Sequence, residues 1–326
     1  MDDKSTFVTL SSVKARKVQW LWKPYIPFGM ITILEGDPGL GKSFLSMFLA
    51  SQISRGGNLP DGGHLDQGNV LYISAEDDPS YTTRPRIDAM GGDTERIRVL
   101  NGRLAFDDEG LKTLRAELDE YEPDLIIIDP WVSFIPANTR MKDSSSVRAL
   151  IDKIESVAKD YGCAVVLIRH LTKMKQDNAL YQGGGTVDMI AAARSAIRIG
   201  QHPDNPDHRV MAHLKHNVGP KGPSWVYMMQ IPTEEGGVPR LEFIGEEEIS
   251  VNELNAAVGN TNARPKDAAE EFLKRELRDG PRKAKEMLAL ADLVGISERT
   301  LARARTRIGV KSEQKRGHWI WSLPSK

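Results

Sequence analysis

Eight consecutive residues, Gly36-Asp37-Pro38-Gly39-Leu40-Gly41-Lys42-Ser43, carry the pattern G-x-x-x-x-G-K-[ST]. Its glycines let backbone N–H groups turn inward and cradle phosphate oxygens at a helix N-terminus. Lys42 is spaced to reach β- and γ-phosphates, and the Ser43 hydroxyl to help hold Mg2+. A short apolar strand, Ile31-Thr32-Ile33-Leu34, precedes the loop. A helix through Phe44, Leu45, Phe48, Leu49 and Ile53 follows it. Strand, loop and helix in that order are the context this motif requires. ATP and Mg2+ are the expected ligands, with Phe44 extending the binding segment, and phosphoryl transfer to water is the expected chemistry.

Two further acidic positions suit that chemistry. Leu125-Ile126-Ile127-Ile128-Asp129 reads as a buried strand with a carboxylate at its tip, a Walker B strand in which Asp129 supports the magnesium. Pro130 follows instead of a second acid, so the group that activates water comes from elsewhere. The run Ser74-Ala75-Glu76-Asp77-Asp78 closes the second strand of the series, Val70–Ser74, and puts Glu76 just beyond it, beside the loop of the first strand. Glu76 is the expected general base, with Asp77 in reserve. The competing role for either acid is to cap the helix that follows.

The elements that must position these groups alternate. Strands read at Ile97–Leu100 and Ala164–Ile168, with helices at about 80–90, 109–120 and 145–160 between strands. Unbroken apolar strands alternating with helices imply an α/β fold, with a doubly wound parallel sheet covered on both faces. Beyond Gly185 the texture changes. Ala196–Ile199, Val210–Lys215, Trp225–Ile231 and Leu241–Ile244 follow one another without helices, an antiparallel extension. The segment 1–29 reads as irregular, with Trp20, Trp22, Tyr25 and Phe28 either packing over a sheet edge or covering an adenine ring.

The organisation expected is an ATPase core over 1–257, a linker over 258–266 and a small domain over 267–326. That last domain shows helical periodicity at Ala268–Arg278 and Lys283–Leu293, then a Ser297-capped helix. A hairpin pairing Lys311–Gln314 with His318–Trp321 closes it. Two helices about a glycine turn with a trailing hairpin match a winged helix-turn-helix. Arg299, Arg303, Arg305 and Arg307 line its third helix and are candidate DNA contacts.

Charge divides in the same place. The stretch Thr261–Lys326 holds 16 Lys+Arg against 9 Asp+Glu, and Met1–Asn260 holds 28 against 36, within a net charge of −1. A basic tail on an acidic body points to an anionic partner at the tail, nucleic acid first and protein second. The composition, 40% hydrophobic and 27% charged, is that of a globular chain. Its apolar runs all fall well short of the length that a membrane-spanning helix needs. A single cysteine, Cys163, and no secretory leader at Met1-Asp2-Asp3-Lys4-Ser5 point to the cytoplasm.

The loop, the Ser-Ala-Glu-Asp run, Ile-Ile-Ile-Asp-Pro and a polar residue closing the next strand together resemble the RecA-like fold. Within it they are similar to the hexameric RepA and DnaB-type helicase ATPases and the AAA_25-like ATPases of mobile elements. The resemblance covers roughly Trp20 to Gly245. It implies that His170, at the end of Val165-Val166-Leu167-Ile168-Arg169-His170, senses the γ-phosphate. It implies a homo-hexameric ring whose channel loops, 131–146 with Arg140 and Lys142 and 171–186 with Lys173 and Lys175, hold single-stranded DNA. It also implies a cation donated to each site by the neighbouring subunit. Arg194 and Lys215 are the candidates, with Arg198 a weaker one. Lys215-His216-Asn217-Val218-Gly219-Pro220 is similar to the DnaB-type finger, but Asn217 replaces its arginine.

Three functions fit these expectations: a ring-forming replicative helicase or translocase, a DNA-binding ATPase that does not unwind, or an ATP-controlled assembly switch.

Overall fold

Strands of consecutive apolar residues can be buried on both faces only where helices cover both sides of a sheet. The larger unit of the chain has that layout. The computed structural model describes residues 7–137, 139, 144–171, 187–232, 237–255, 265–278, 280–293, 298–315 and 318–324. It divides into two compact units, Met1–Leu254 and Asn255–Lys326.

In the first unit, strands β3 (Ile31–Gly36), β4 (Val70–Ser74), β5 (Ile97–Val99), β6 (Leu125–Asp129), β7 (Ala164–His170), β8 (Ser195–Gln201), β9 (His208–His216), β10 (Ser224–Gln230) and β11 (Arg240–Glu247) form one sheet. Its order is β11-β10-β9-β8-β3-β7-β6-β4-β5. The six strands from β8 to β5 run parallel, and β9 to β11 extend the sheet antiparallel. The mostly parallel α/β sheet and its antiparallel extension are thus as expected. β7 and β6 stand between β3 and β4, so Glu76 reaches the loop of β3 from beyond β4 across the ends of two intervening strands.

Helix α1 (Lys42–Arg55) covers one face with α2 (Arg84–Ala89), and α3 (Asp108–Tyr121), α4 (Ser144–Tyr161) and α5 (Val187–Ala192) cover the other. α4 shows why. Val147, Leu150, Ile151, Ile154, Val157 and Ala158 recur at helical spacing, and all six are buried in the core on that side. Each of the larger side chains among them contributes roughly 1.5–3 kcal/mol through burial. α1 ends at Gly56, whose φ of 65° suits a left-handed cap that a side chain would strain.

The segment ahead of β3 is not wholly irregular. β1 (Trp20–Trp22) and β2 (Ile26–Pro27) form a small antiparallel hairpin. Its aromatic residues pack instead of standing open to an adenine. Trp22 and Tyr25 are both 1% exposed, with Trp22 against Tyr25 and edge-on to Phe243 of β11. Tyr25 also accepts a hydrogen bond from Trp225 Nε1 at 2.9 Å.

The second unit has helices Pro265–Glu276, Ala284–Leu293 and Glu298–Arg307, and a three-stranded antiparallel sheet. The sheet orders β12 (Arg282–Lys283), β14 (His318–Ser322) and β13 (Lys311–Lys315), with β14 central. Phe272, Leu273, Leu277, Met287, Leu301, Ala304 and Trp321 make its core. The helix beginning at Pro265 starts inside the stretch expected as linker, and proline at a first helical position explains it. Most of the remaining linker lies outside the described residues. Among the described residues no helix is long and apolar enough to cross a membrane.

Candidate nucleotide site

β3 delivers the phosphate loop through Gly36. A Cβ there would lie 2.6 Å from the Ile199 carbonyl oxygen of β8, so the close strand approach requires glycine. Gly41 opens α1 with φ 80°, again a left-handed position. Tyr227 of β10 donates its hydroxyl to the Leu40 carbonyl at 3.1 Å and ties the loop to the antiparallel extension. Asp37, Pro38 and Gly39 form the outer turn of the loop, and Ser43 and Phe44 enter the helix.

Lys42 is 3% exposed, and its Nζ donates to the carbonyls of Gly36 at 2.9 Å and Asp37 at 2.8 Å. Burial pushes its ammonium down to about 8, against the pull of Asp129, Asp37 and Glu76. A desolvated ammonium held only by carbonyls gains strongly when a phosphate oxygen replaces them.

Asp129 closes β6 and is 2% exposed. Burial pushes its carboxyl up to about 6, a hydrogen bond from Ser43 opposes the shift, and Asp77 and Glu76 add to it. Tyr72 of β4 donates its hydroxyl to Asp129 Oδ2 at 3.4 Å and lies 3.3 Å from Ser46 Oγ. A buried carboxylate beside a hydroxyl, its pKa raised by burial and neighbouring acids against the opposing Lys42 charge, fits a hard oxygen-seeking cation that keeps most of its water. Ser43 and Asp129 are the residues that would hold Mg2+, which when bound neutralises phosphate charge.

Three acids follow β4, and the structure gives each different work. Asp78 caps the next helix, its Oδ1 accepting from the backbone N–H of Ser80 at 2.8 Å and Tyr81 at 3.1 Å. Neither Glu76 nor Asp77 takes that cap. Asp77 pairs with Arg86 at 3.5 Å, and the Arg86 guanidinium lies over the Phe44 ring at 4.4 Å. Glu76 Oε2 stands 3.8 Å from Nε2 of His170, the last residue of β7. Burial and the neighbouring Lys42 charge lower the His170 pKa, so its imidazole is neutral at pH 7. Its Nδ1 is buried with no partner among the described residues. Lys42, Ser43, Asp129, Glu76 and His170 therefore converge at the C-terminal ends of the parallel strands.

The expected neighbour-facing cations lie elsewhere. Arg194 precedes β8 and Lys215 pairs with Ala196 near the start of that strand, whereas Gly36 pairs with Ile199. The strand between Arg194 and that level spans about 16 Å, at roughly 3.3 Å per residue. Arg194 Nε donates to Glu155 at 3.3 Å. Lys215 Nζ donates to the carbonyls of Ile190, Ala191 and Ala193 at 2.9, 2.6 and 3.0 Å, closing the C-terminus of α5. Arg198 is 2% exposed and bonded to Glu35, so it is no finger.

Of the expected nucleic-acid contacts, Arg140, Lys142, Lys173 and Lys175 lie outside the described residues, as do the side chains of Arg299 and Arg303. Arg305 lies over the Trp321 ring at 4.8 Å, and Arg307 bonds Glu270. Both are therefore engaged within the tail. Sequence reading also missed Tyr72, Tyr227 and the Glu35 cluster. The signal available was a polar residue inside an apolar strand, which buries only with a partner.

The family model for AAA_25, an AAA domain, matches residues 3–176. Among curated proteins, the chain is similar to the DNA repair protein RadA of Streptococcus pneumoniae, 26% identical over 147 residues, 44% of this chain and 31% of that protein. RadA of Chlamydia trachomatis is 22% identical over 250 residues, 72% of this chain and 50% of the relative. RadA of Bacillus subtilis is 24% identical over 147 residues, 44% and 28% respectively. The chain spans half or less of these relatives' length. The family match takes in every strand that delivers the loop, its acids and the histidine, and extends over more than half of the sequence. The chain belongs to the AAA_25 family of RecA-like P-loop ATPases.

Proposed function

We propose that the protein is a DNA-associated, ring-forming ATPase, a helicase or translocase of the RepA and DnaB type, with a winged helix-turn-helix tail. The observation that carries this reading is the separation of the hydrolytic group from its cations. Glu76 and His170 meet at one end of the sheet, while Arg194 and Lys215 sit at the other. A cation from that far end reaches a γ-phosphate only in a second copy, whose ring completes each site. Glu76 is the general base in this reading and His170 the sensor of the γ-phosphate. Ser43 and Asp129 hold Mg2+, and the loop 36–44 takes the nucleotide.

Support for DNA as the partner comes from the relatives named for DNA repair and from the basic tail, with 16 Lys+Arg against 9 Asp+Glu over Thr261–Lys326. The tail's order of helix, strand, helix, helix and hairpin supports the winged-helix assignment. The channel contacts belong to Arg140, Lys142, Lys173 and Lys175, and the tail contacts to Arg299 and Arg303.

A second reading, an ATP-controlled assembly switch, is favoured by one observation. Lys215 is spent on three carbonyls of its own chain and Asn217 replaces the second cation of the finger. Steady-state ATP hydrolysis with and without single-stranded DNA, alongside native mass, separates the two. Strong stimulation with a six-fold mass is the result expected. Flat hydrolysis that DNA leaves unchanged selects the switch.

A further inference from the structure

Three charged side chains lie inside strands that are otherwise apolar. Glu35 of β3, Arg169 of β7 and Arg198 of β8 are 0%, 1% and 2% exposed. Glu35 stands opposite Arg169 on one side and Arg198 on the other. Strand alternation puts all three on the face of Ile33, Leu167 and Ala196, toward the core beneath α3, α4 and α5. Arg198 Nε donates to Glu35 Oε1 at 2.8 Å, and Arg169 Nη2 donates to Oε2. Arg169 Nε and Nη1 are buried with no hydrogen-bond partner among the described residues.

This cluster is a poor device for stability. Buried ion clusters are commonly matched or exceeded in stability by apolar residues of similar volume, and unpartnered N–H groups make the balance worse. What it supplies is direction. Two guanidinium groups gripping the two oxygens of one carboxylate fix strand register and rotation, which apolar contacts leave softer.

Its location gives that direction a use. Glu35 is the residue before Gly36, whose carbonyl accepts both Lys42 Nζ at 2.9 Å and the backbone N–H of Leu171 at 3.2 Å. Arg169 is the residue before His170. The cluster thus sits immediately upstream of the phosphate loop and immediately upstream of the histidine that faces Glu76.

We propose that Glu35, Arg169 and Arg198 form a clamp that holds the phosphate loop and His170 in one frame, making Arg169 a positioning residue for ATP hydrolysis. The inference rests on the reading of Glu76 and His170 as the hydrolytic pair. Misplacement of a reacting group by about 1 Å lowers a rate by up to about 100-fold, while ground-state binding can survive it.

The test uses the full chain and measures kcat, KM for ATP and thermal midpoint together. Glu35→Gln and Arg169→Lys each lower kcat at least about 10-fold with KM within about 3-fold. Glu35→Gln combined with His170→Ala loses less than the product of the two single losses, because part of the clamp's effect passes through the histidine and the rest through the phosphate loop. Losses that multiply in the double variant mean independent damage and overturn the proposal.

Single changes leave a buried charge unpaired and threaten folding. The decisive variant therefore replaces Glu35, Arg169 and Arg198 all with Met. It is expected to melt at or above the wild-type midpoint with kcat lowered at least about 10-fold. Wild-type kcat in that folded, uncharged variant overturns the clamp. If His170→Ala alone were as fast as wild type, the hydrolytic pair would be the reading at fault, and the uncharged variant would still decide the clamp.

Discussion

His170 Nε2 stands 3.8 Å from Glu76 Oε2, although β6 separates the strands that carry them. The contact closes because both residues lie at the C-terminal ends of parallel strands, where chain leaving the sheet can bridge a neighbouring strand. With His170 held neutral by burial, the imidazole can donate to the carboxylate or to a water between them without neutralising its charge. Glu76 side-chain exposure of 61% leaves it open to solvent, as a base that takes a proton from water requires.

Glu76→Gln is accordingly expected to keep nucleotide affinity within a few-fold while lowering kcat by about 100- to 10,000-fold. Asp77→Asn, which disturbs the pairing with Arg86 and removes one of the charges near Asp129, retains most activity. Steady-state turnover combined with equilibrium nucleotide binding checks both. Normal turnover in the Gln variant hands the base role to another acid.

Lys42 makes a prediction in which activity and stability move apart. Its folded pKa of about 8 lies below the usual lysine value of 10.5, with burial the largest cause. The unfolded chain therefore binds more protons between those values, and stability rises with pH across that window. At pH 7 the buried ammonium lowers stability by roughly 3 kcal/mol. Lys42→Met should abolish ATP turnover and raise the thermal midpoint of the nucleotide-free protein by about 5 °C. A lower midpoint would show that its two carbonyl bonds outweigh its desolvation.

The phosphate loop was legible because its glycine spacing is local, and the strands because burial on both faces leaves unbroken apolar runs. The order of parallel strands was not. Each crossover helix permits more than one neighbour, so alternation alone does not place β7 and β6 between β3 and β4. Clusters assembled across the sheet were equally hidden. Glu35 meets Arg169 and Arg198 from 134 and 163 positions away, and no periodicity links them. The β1–β2 hairpin escaped because Pro24 and Pro27 argue against strands, and its stability comes from the burial of Trp22 and Tyr25. Asp78 was passed over as the cap because three acids in a row offer the same oxygen, and backbone geometry alone chooses among them.

His213 supplies a pH dependence of known sign. It stacks between Tyr25 at 4.6 Å and His216 at 4.9 Å, and its Nδ1 accepts from the Gly222 N–H at 2.9 Å. Burial first, then His216 and Lys221, hold its pKa down to about 3 against a usual 6.5. The stability it contributes is complete above pH 6.5 and is lost as pH falls toward 3, because the unfolded chain takes up the proton first. The slope is up to about 1.4 kcal/mol per pH unit. Urea midpoints from pH 7 to pH 4 should fall less steeply in His213→Gln than in the wild type. Parallel curves would assign the acid sensitivity to other groups.

Arg194 lies about 16 Å from its own phosphate loop along the strands, so its contribution to catalysis is expected only across a subunit boundary. That geometry predicts complementation. Lys42→Ala subunits lack a working loop but keep the arginine, whereas Arg194→Ala subunits keep the loop and lack the arginine. Each preparation alone is inactive or nearly so. Mixed in equal amounts and allowed to reassemble, loop and arginine come together at about a quarter of the interfaces of a closed ring. Turnover should recover toward that fraction and grow with mixing time. Mixtures that show no recovery would remove Arg194 from the neighbour's site. The same experiment with Lys215→Ala would then ask whether the lysine, released from the carbonyls of Ile190, Ala191 and Ala193, serves in its place.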